Sequence, residues 1–329
     1  MASKVHELLI KIAGKLDPRF ERATKSASKG MKSLNNEARN ARVFQTAARY
    51  VASLAAAYVS LRTVKESVEK AMEWQKGLAS TATLTGDSVS AFTKKYEKDM
   101  RRLAVSTGIS HKDINAGMNQ IISTFGETPD TMGIFKVATK AARAVDALPD
   151  DVINMLGITM RNFGDISEET ANKIMDMTFQ TVNYGVTTVP ELVASLGSCA
   201  PLFKGLSLSM EELFAATATL TGTTGNTSEV MTQLGSIVTS VVKPNKNMTQ
   251  AFKKMGYSSA FAAFETLGLN GALQKLYKHV GKNKVAFQQM FGRKEAMTAV
   301  LPLVTTQAET FTTRIKDMKN SLGVTDKAF

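Results

Sequence analysis

Apolar positions along this chain recur mainly at steps of three and four, the period of a helix face rather than of a strand. The longest such run is Val51, Leu54, Tyr58, Leu61, Val64, Val68 and Met72, a seam with a mean spacing of 3.5 residues. That spacing is the one coiled coils use. The seam lies in a stretch of 45 residues, Met31 to Gln75, that contains neither Gly nor Pro. Ala, Arg, Lys, Glu and Leu dominate it, all strong helix formers. As one continuous helix it would extend roughly 68 Å at 1.5 Å per residue. Upstream, Val5 to Leu16 fits a short strand or a frayed helix equally well. Asp17-Pro18 reads as an N-cap followed by proline at the first helical position.

Past Gly77 the texture changes to medium-length helices with clean stops. Ser88 or Asp87 opens a segment that runs to Thr107, and Ser110 with Asp113 opens the next, which closes near Gly126. Further starts are read at Thr128-Pro129-Asp130, at Leu148-Pro149-Asp150-Asp151 and at Ser167-Glu168-Glu169. Thr188-Val189-Pro190-Glu191 is a capping box with proline in the first turn. In the central stretch, Leu196 to Met255, an apolar helix closes at Gly205. Ser209 with Glu212 starts a small-residue helix through Leu220, and Thr221 to Gly225 reads as a turn. A third helix runs from about Ser228 to Val242, where Lys243-Pro244-Asn245 stops it. Later helices are expected at Met248 to Met255, Ser258 to Leu267, Leu269 to Val280 and Ala296 to Val304. No alternating β-branched run of strand length is found, so the expected fold is all-α. A long coiled-coil-like N-terminal helix is followed by a multi-helix globular core. The divisions expected are 1–76, 77–310, and 311–329 as the start of a further helix with no closing cap.

One phrase occurs twice: Thr81-Ala82-Thr83-Leu84-Thr85-Gly86 returns as Thr217-Ala218-Thr219-Leu220-Thr221-Gly222. The flanking residues align poorly, which favours reuse of a good helix-plus-turn phrase over duplication of a unit.

Composition narrows the class. At 329 residues with 43% hydrophobic content, the chain can bury a substantial core. Its one cysteine, Cys199, excludes an internal disulfide framework. The apolar run from Tyr50 to Leu61 is too short to span a bilayer, which takes about 20 residues, and the chain reads as soluble. Net charge is +12, and Met1 to Lys76 carries 15 Lys and Arg against 7 Asp and Glu. That N-terminal excess is a solvated helix face or a surface for anionic partners.

Candidate chemistry is sparse. His6, His111 and His279 fall in separate segments, and Cys199 has no CxxC partner, so no metal site is indicated. A buried Cys199 is favoured over a Cys199–His279 dyad. Gly222 to Ser228 resembles a phosphate loop only in composition, because it follows a helix and lacks the required lysine. Glu168-Glu169 and Glu211-Glu212 occupy first helical turns, where carboxylates complement the helix dipole. The tyrosines among the N-terminal cations belong to the seam and offer no stacking platform for nucleic acid. The methionines, clustered at 155, 160, 175 and 177, read as core filler before they read as a binding groove.

The order of phrases from Trp74-Gln75-Lys76-Gly77-Leu78 and Leu103 to Ile114 resembles the core region of phage tail tape measure proteins. Pro201 to Pro244 resembles it most closely. That segment carries the Gly-Leu-Ser phrase, the ATATLTG helix, the turn ending in Thr-Ser, Leu234-Gly235-Ser236-Ile237 and the Lys243-Pro244 stop. Met255-Gly256 and Phe291-Gly292 follow in the family's order, so the resemblance covers roughly residues 70 to 305. Ile12 to Asp17 and the helix after it also resemble that family.

The resemblance implies a structural virion component. Several copies would lie inside the tail tube and set its length during assembly in the host cytoplasm, in phages or in phage-tail-like particles. It supplies no shared catalytic residue, no cofactor, no metal and no small-molecule substrate. No match to the peptidoglycan-cleaving domain of some members is seen, and the chain is shorter than family members usually are. The implied partners are further copies of the chain, tail tube, tail assembly chaperone and baseplate proteins, with DNA as a further contact. The seam Val51–Met72 is expected to join copies, and the basic face Arg39, Arg42, Arg49, Arg62 and Lys65 to meet acidic tube, chaperone or DNA surfaces. The second reading, from another class, is a helical adaptor or nucleic-acid-binding protein that uses the basic N-terminal region.

Overall fold

The structure is a computed structural model that describes residues 26, 29, 65–145, 147–321 and 323. Among the described residues it is all-helical, with fourteen helices and no strand. The long N-terminal helix expected from Met31 lies outside the described residues up to 64. From there α1 covers 65–85. The chain divides into two compact units, Met1–Gly77 and Leu78–Phe329.

In the second unit the helices are α2 (Val89–Thr107), α3 (His111–Phe125), α4 (Thr131–Ala144), α5 (Pro149–Phe163) and α6 (Glu168–Tyr184). They continue as α7 (Val189–Gly205), α8 (Met210–Thr224), α9 (Thr227–Val242), α10 (Lys246–Lys254) and α11 (Ala260–His279). The last three are α12 (Lys284–Gln288), α13 (Lys294–Val304) and α14 (Ala308–Lys319). The division expected after residue 310 falls inside α14.

The start signals read from sequence do their work through the orphan N–H groups of each first turn. Ser88, Ser110, Ser167, Thr188 and Ser209 each accept a hydrogen bond from the backbone N–H three residues on. At Thr188 the box is reciprocal: the Glu191 carboxylate accepts from the Thr188 N–H at 3.1 Å. Each such cap stabilises its helix by about 1 kcal/mol.

Helix α8 is the centre of the unit. It packs against α6, α7, α9, α11, α13 and α14, and eleven of its fifteen residues are buried. Being surrounded, it has no polar face to present, which is why its sequence lacks an amphipathic stripe. Its Ala and Thr side chains let neighbouring helices come close. The buried hydroxyls are satisfied within the helix: Thr217 donates to the Leu213 carbonyl at 2.8 Å, Thr219 to Ala215 at 2.7 Å and Thr221 to Thr217 at 2.7 Å. A buried hydroxyl without such a bond would cost on the order of 1–3 kcal/mol. The turn expected at Thr221–Gly225 is therefore shorter than read. The helix continues to Thr224 and stops at Gly225, in the left-handed conformation.

Glu212 departs from its capping pattern. Ser209 accepts from its N–H, but the Glu212 carboxylate is buried and accepts instead from the Asn270 backbone N–H at 3.1 Å. Asn270 begins the second half of α11, beyond a break at Gly268 with φ 72° and ψ −179°. The carboxylate thus caps a helix start far away in sequence. A Cβ at position 268 would lie 2.6 Å from the Glu212 Oε1, so only glycine fits both the backbone and the carboxylate.

Helix α14 is fastened to the end of α6 by polar contacts, and α6 in turn to the start of α8. Lys173 and Glu211 pair at 2.7 Å, joining α6 to α8. Arg314 donates to the Tyr184 carbonyl at 2.8 Å, and the Tyr184 hydroxyl donates to Asp317 at 3.2 Å. Beyond α14, the Gly323 N–H donates to the buried Asp176 carboxylate at 2.7 Å. No single helix among the described residues is long and apolar enough to cross a membrane.

Candidate functional site

Of the seam expected to join copies, Val68 and Met72 are described, both on α1. Met72 is 67% exposed and Val68 is partly exposed. Val51, Leu54, Tyr58, Leu61 and Val64 lie outside the described residues. Of the basic face, Lys65 is exposed and pairs with Glu69 at 3.7 Å, one turn further along the helix. Arg39, Arg42, Arg49 and Arg62 lie outside the described residues. The Lys65–Glu69 pair is solvated on both sides, so it holds little free energy and leaves the lysine available to a partner.

Two open grooves mark the second unit. The first, about 480 Å³, is lined by Lys95, Tyr96, Asp99, Glu127, Pro129 and Met132 among others. The Glu127 carboxylate accepts hydrogen bonds from the Lys95 ammonium and, at 2.6 Å, from the Tyr96 hydroxyl. The Lys95 contact, then that of Tyr96, holds the Glu127 carboxyl below the usual carboxylate range. The same contact keeps the Lys95 ammonium more firmly protonated than an ordinary lysine. Burial, then the bond to Glu127, pushes the Tyr96 phenol up. Every group is thus pinned in its ordinary charge state, which suits a clasp between α2 and the α3–α4 connection and does not suit acid–base catalysis.

The second groove, about 530 Å³, runs between α3, α5 and α7 and includes Gln120, Thr124, Asn154, Arg161, Asn162 and Pro201. Its polar groups bond to one another and to the backbone. Gln120 donates to the Asn154 carbonyl oxygen at 2.6 Å, Arg161 donates to the Thr124 carbonyl, and Asn162 donates to the Ile158 carbonyl at 2.7 Å. Both grooves were missed in the sequence, because their residues come from separate helices with no shared spacing.

The residues weighed for chemistry take structural positions. Cys199 is fully buried on α7, and burial pushes its thiol up to about 12. It is a core side chain, not a thiolate nucleophile. Gly225 and Asn226 end α8 and cap α9, the Asn226 side chain accepting from the Glu229 N–H at 3.0 Å. That is a cap–turn–cap junction rather than a phosphate cradle. No group of three or more His, Cys, Asp or Glu side chains suited to a metal occurs among the described residues.

With no catalytic constellation among the described residues, sequence comparison carries the assignment. Residues 97–292 match the family described as phage-related minor tail protein. The chain belongs to that family. The match runs from within α2 to the junction before α13, and so takes in the central helix, the second groove and the first groove apart from Lys95 and Tyr96. The chain is also 28% identical over 270 residues to a probable tape measure protein of Clostridium phage phiCD119. That alignment covers 78% of this chain and 28% of the relative, so the chain spans well under a third of that relative's length. No solved structure matches. The resemblance read from residues 70 to 305 is borne out, and this minor tail protein is a structural component of the phage tail.

Proposed function

We propose that this minor tail protein acts as part of a tape measure, setting tail length during assembly while lying inside the tail tube. The observation that carries the reading is the joint match of residues 97–292 to the minor tail family and of 78% of the chain to a probable tape measure protein. The role is non-catalytic. The all-helical architecture supports it, because a helix converts residue number into length at a constant 1.5 Å per residue. Copies associate through the Val51–Met72 seam, and the basic face Arg39, Arg42, Arg49, Arg62 and Lys65 meets acidic tube, chaperone or DNA surfaces. Residues 1–76 serve as the extended part and 77–310 as the packed core. The adaptor or nucleic-acid reading of the whole protein has no comparable match behind it.

The length-setting role is tested in the phage that carries the gene. Deleting 28 residues, eight turns, from within 31–75 should shorten the tail by about 40 Å in electron micrographs. Tails of unchanged length overturn it. The seam is tested by Leu54→Asp with Leu61→Asp, which should reduce the purified protein from an oligomer to a monomer by light scattering. An unchanged mass removes the seam from the mechanism.

A further inference from the structure

The charge of the second unit is concentrated in one segment. Between residues 243 and 294 there are ten Lys and Arg and one carboxylate, Glu265. The preceding part, 78–242, has 12 Lys and Arg against 17 Asp and Glu. All ten cations are exposed, and none forms an ion pair with a described carboxylate.

The fold ties together the segments that carry them. Lys243 and Lys246 flank Asn245, whose side chain donates to the Gln289 carbonyl at 2.9 Å. That bond ties the start of α10 to the end of α12, close to Arg293 and Lys294. Lys253 and Lys254 end α10, a helix of nine residues, about 14 Å long. Just beyond, Tyr257 receives Lys275 of α11, whose Nζ donates to the phenol oxygen at 2.9 Å and lies 4.8 Å from the ring centroid. Two aromatic groups, Phe252 with Tyr257 and Phe264, and Tyr277 with Phe287 and Phe291, lock these elements together from beneath.

Local helix stability does not account for the charges. Lys253, Lys254 and Lys278 lie in last turns, where a cation complements the helix dipole. Lys246 and Lys294, however, are the first residues of α10 and α13. A cation there opposes the dipole at a cost of about 0.3–1 kcal/mol. Lys284 likewise begins α12. These positions gain nothing from their own helices, so their charge is directed outward.

We propose that the surface formed by 243–294 binds the phosphate backbone of double-stranded DNA without reading its sequence. A duplex carries one charge per about 1.7 Å of axis, which suits a segment whose ten cations are all exposed, with Glu265 inside it and the exposed Glu295 just after Lys294 as its nearest acids in sequence. The preceding part of a second copy, 78–242, offers a surface of mixed sign. Nine of the ten cations are lysines, which act as point charges rather than as the bidentate forks that read guanine. A single strand would need aromatic platforms. Tyr257 is already covered by Lys275, and Phe261, at 37% exposure, is a lone ring.

The test uses the full chain and a labelled duplex of random sequence, about 30 base pairs. Binding should weaken by roughly two to three orders of magnitude between about 50 and 200 mM salt, as expected for some five phosphate contacts. The combined change Lys246→Glu, Lys284→Glu and Lys294→Glu should weaken it at least about tenfold at about 100 mM salt while leaving the melting temperature equal or higher, since glutamate at a helix start favours the dipole. Arginine at the same three positions should retain binding. Reversal of Arg39, Arg42, Arg49 and Arg62 to Glu should change it less than about threefold, separating this surface from the N-terminal one. Triple-glutamate protein that binds like the parent overturns the proposal. So does binding that resists salt, or loss of binding only on N-terminal reversal. Salt-sensitive self-association through these lysines in a protein that ignores the duplex also overturns it, and assigns the surface to a second copy.

Discussion

Residues 81–86 and 217–222 share the sequence Thr-Ala-Thr-Leu-Thr-Gly, yet the first copy ends a helix and the second continues one. In both, the Thr-Ala pair is buried. The next residues diverge. Thr83 is exposed and Leu84 is 48% exposed, whereas Thr219 and Leu220 are each 1% exposed. At the end of the phrase, Gly86 takes φ 76° and closes α1, whereas Gly222 stays helical and α8 runs on to Thr224. Identical residues have identical propensities, so the difference comes from neighbours. Around 217–221 neighbouring helices bury every residue, and the helix then runs on through the exposed Gly222, Thr223 and Thr224 to its stop at Gly225. Around 81–86 one face is open to solvent, and nothing opposes the glycine's tendency to leave the helix.

The comparison predicts a large asymmetry in stability. Leu220→Ala should cost about 2–5 kcal/mol through lost burial and a cavity next to the central helix. Leu84→Ala, half in water, should cost no more than about 1 kcal/mol. Urea unfolding of the two variants measures this, and equal shifts would mean that the two copies are equally buried in solution.

A smaller effect should differ in sign. Gly86→Ala places a Cβ in the left-handed region and should destabilise by about 1–2 kcal/mol. Gly222→Ala puts alanine into a helix where the nearest atom, the Tyr184 carbonyl oxygen, is 3.7 Å from the new Cβ, an ordinary contact. It should stabilise by about 0.5–1 kcal/mol. Thermal melts that move in the same direction for both would contradict the assigned conformations.

Local signals in this chain are strong wherever a few adjacent residues decide the outcome. Ser88, Ser110, Ser167 and Thr188 cap the helices their sequences announce, and Gly268 separates two helical halves where the apolar pattern changes register. The short helix α12 was not anticipated, since five residues carry no readable period. Glu212 was read as a capping-box partner because sequence shows only its distance from Ser209. Its actual partner, the Asn270 N–H, is 58 positions away. The Lys95–Tyr96–Glu127 clasp escaped notice for the same reason: it joins the middle of one helix to the loop after another. The concentration of charge in 243–294 was written in the composition but hidden by counting the whole region after Gly77, where acidic and basic segments nearly cancel.

By itself the sequence determined the helical class, the starts and stops of most helices, and the resemblance to tail proteins, because period, caps and phrase order are local properties. Only the tertiary structure decided that α8 is enclosed through Thr221, that Glu212 caps a remote helix, and that the lysine-bearing helices α10, α11 and α12 are tied together. Those outcomes depend on which distant surfaces meet, and burial or charge density exists only once they have met.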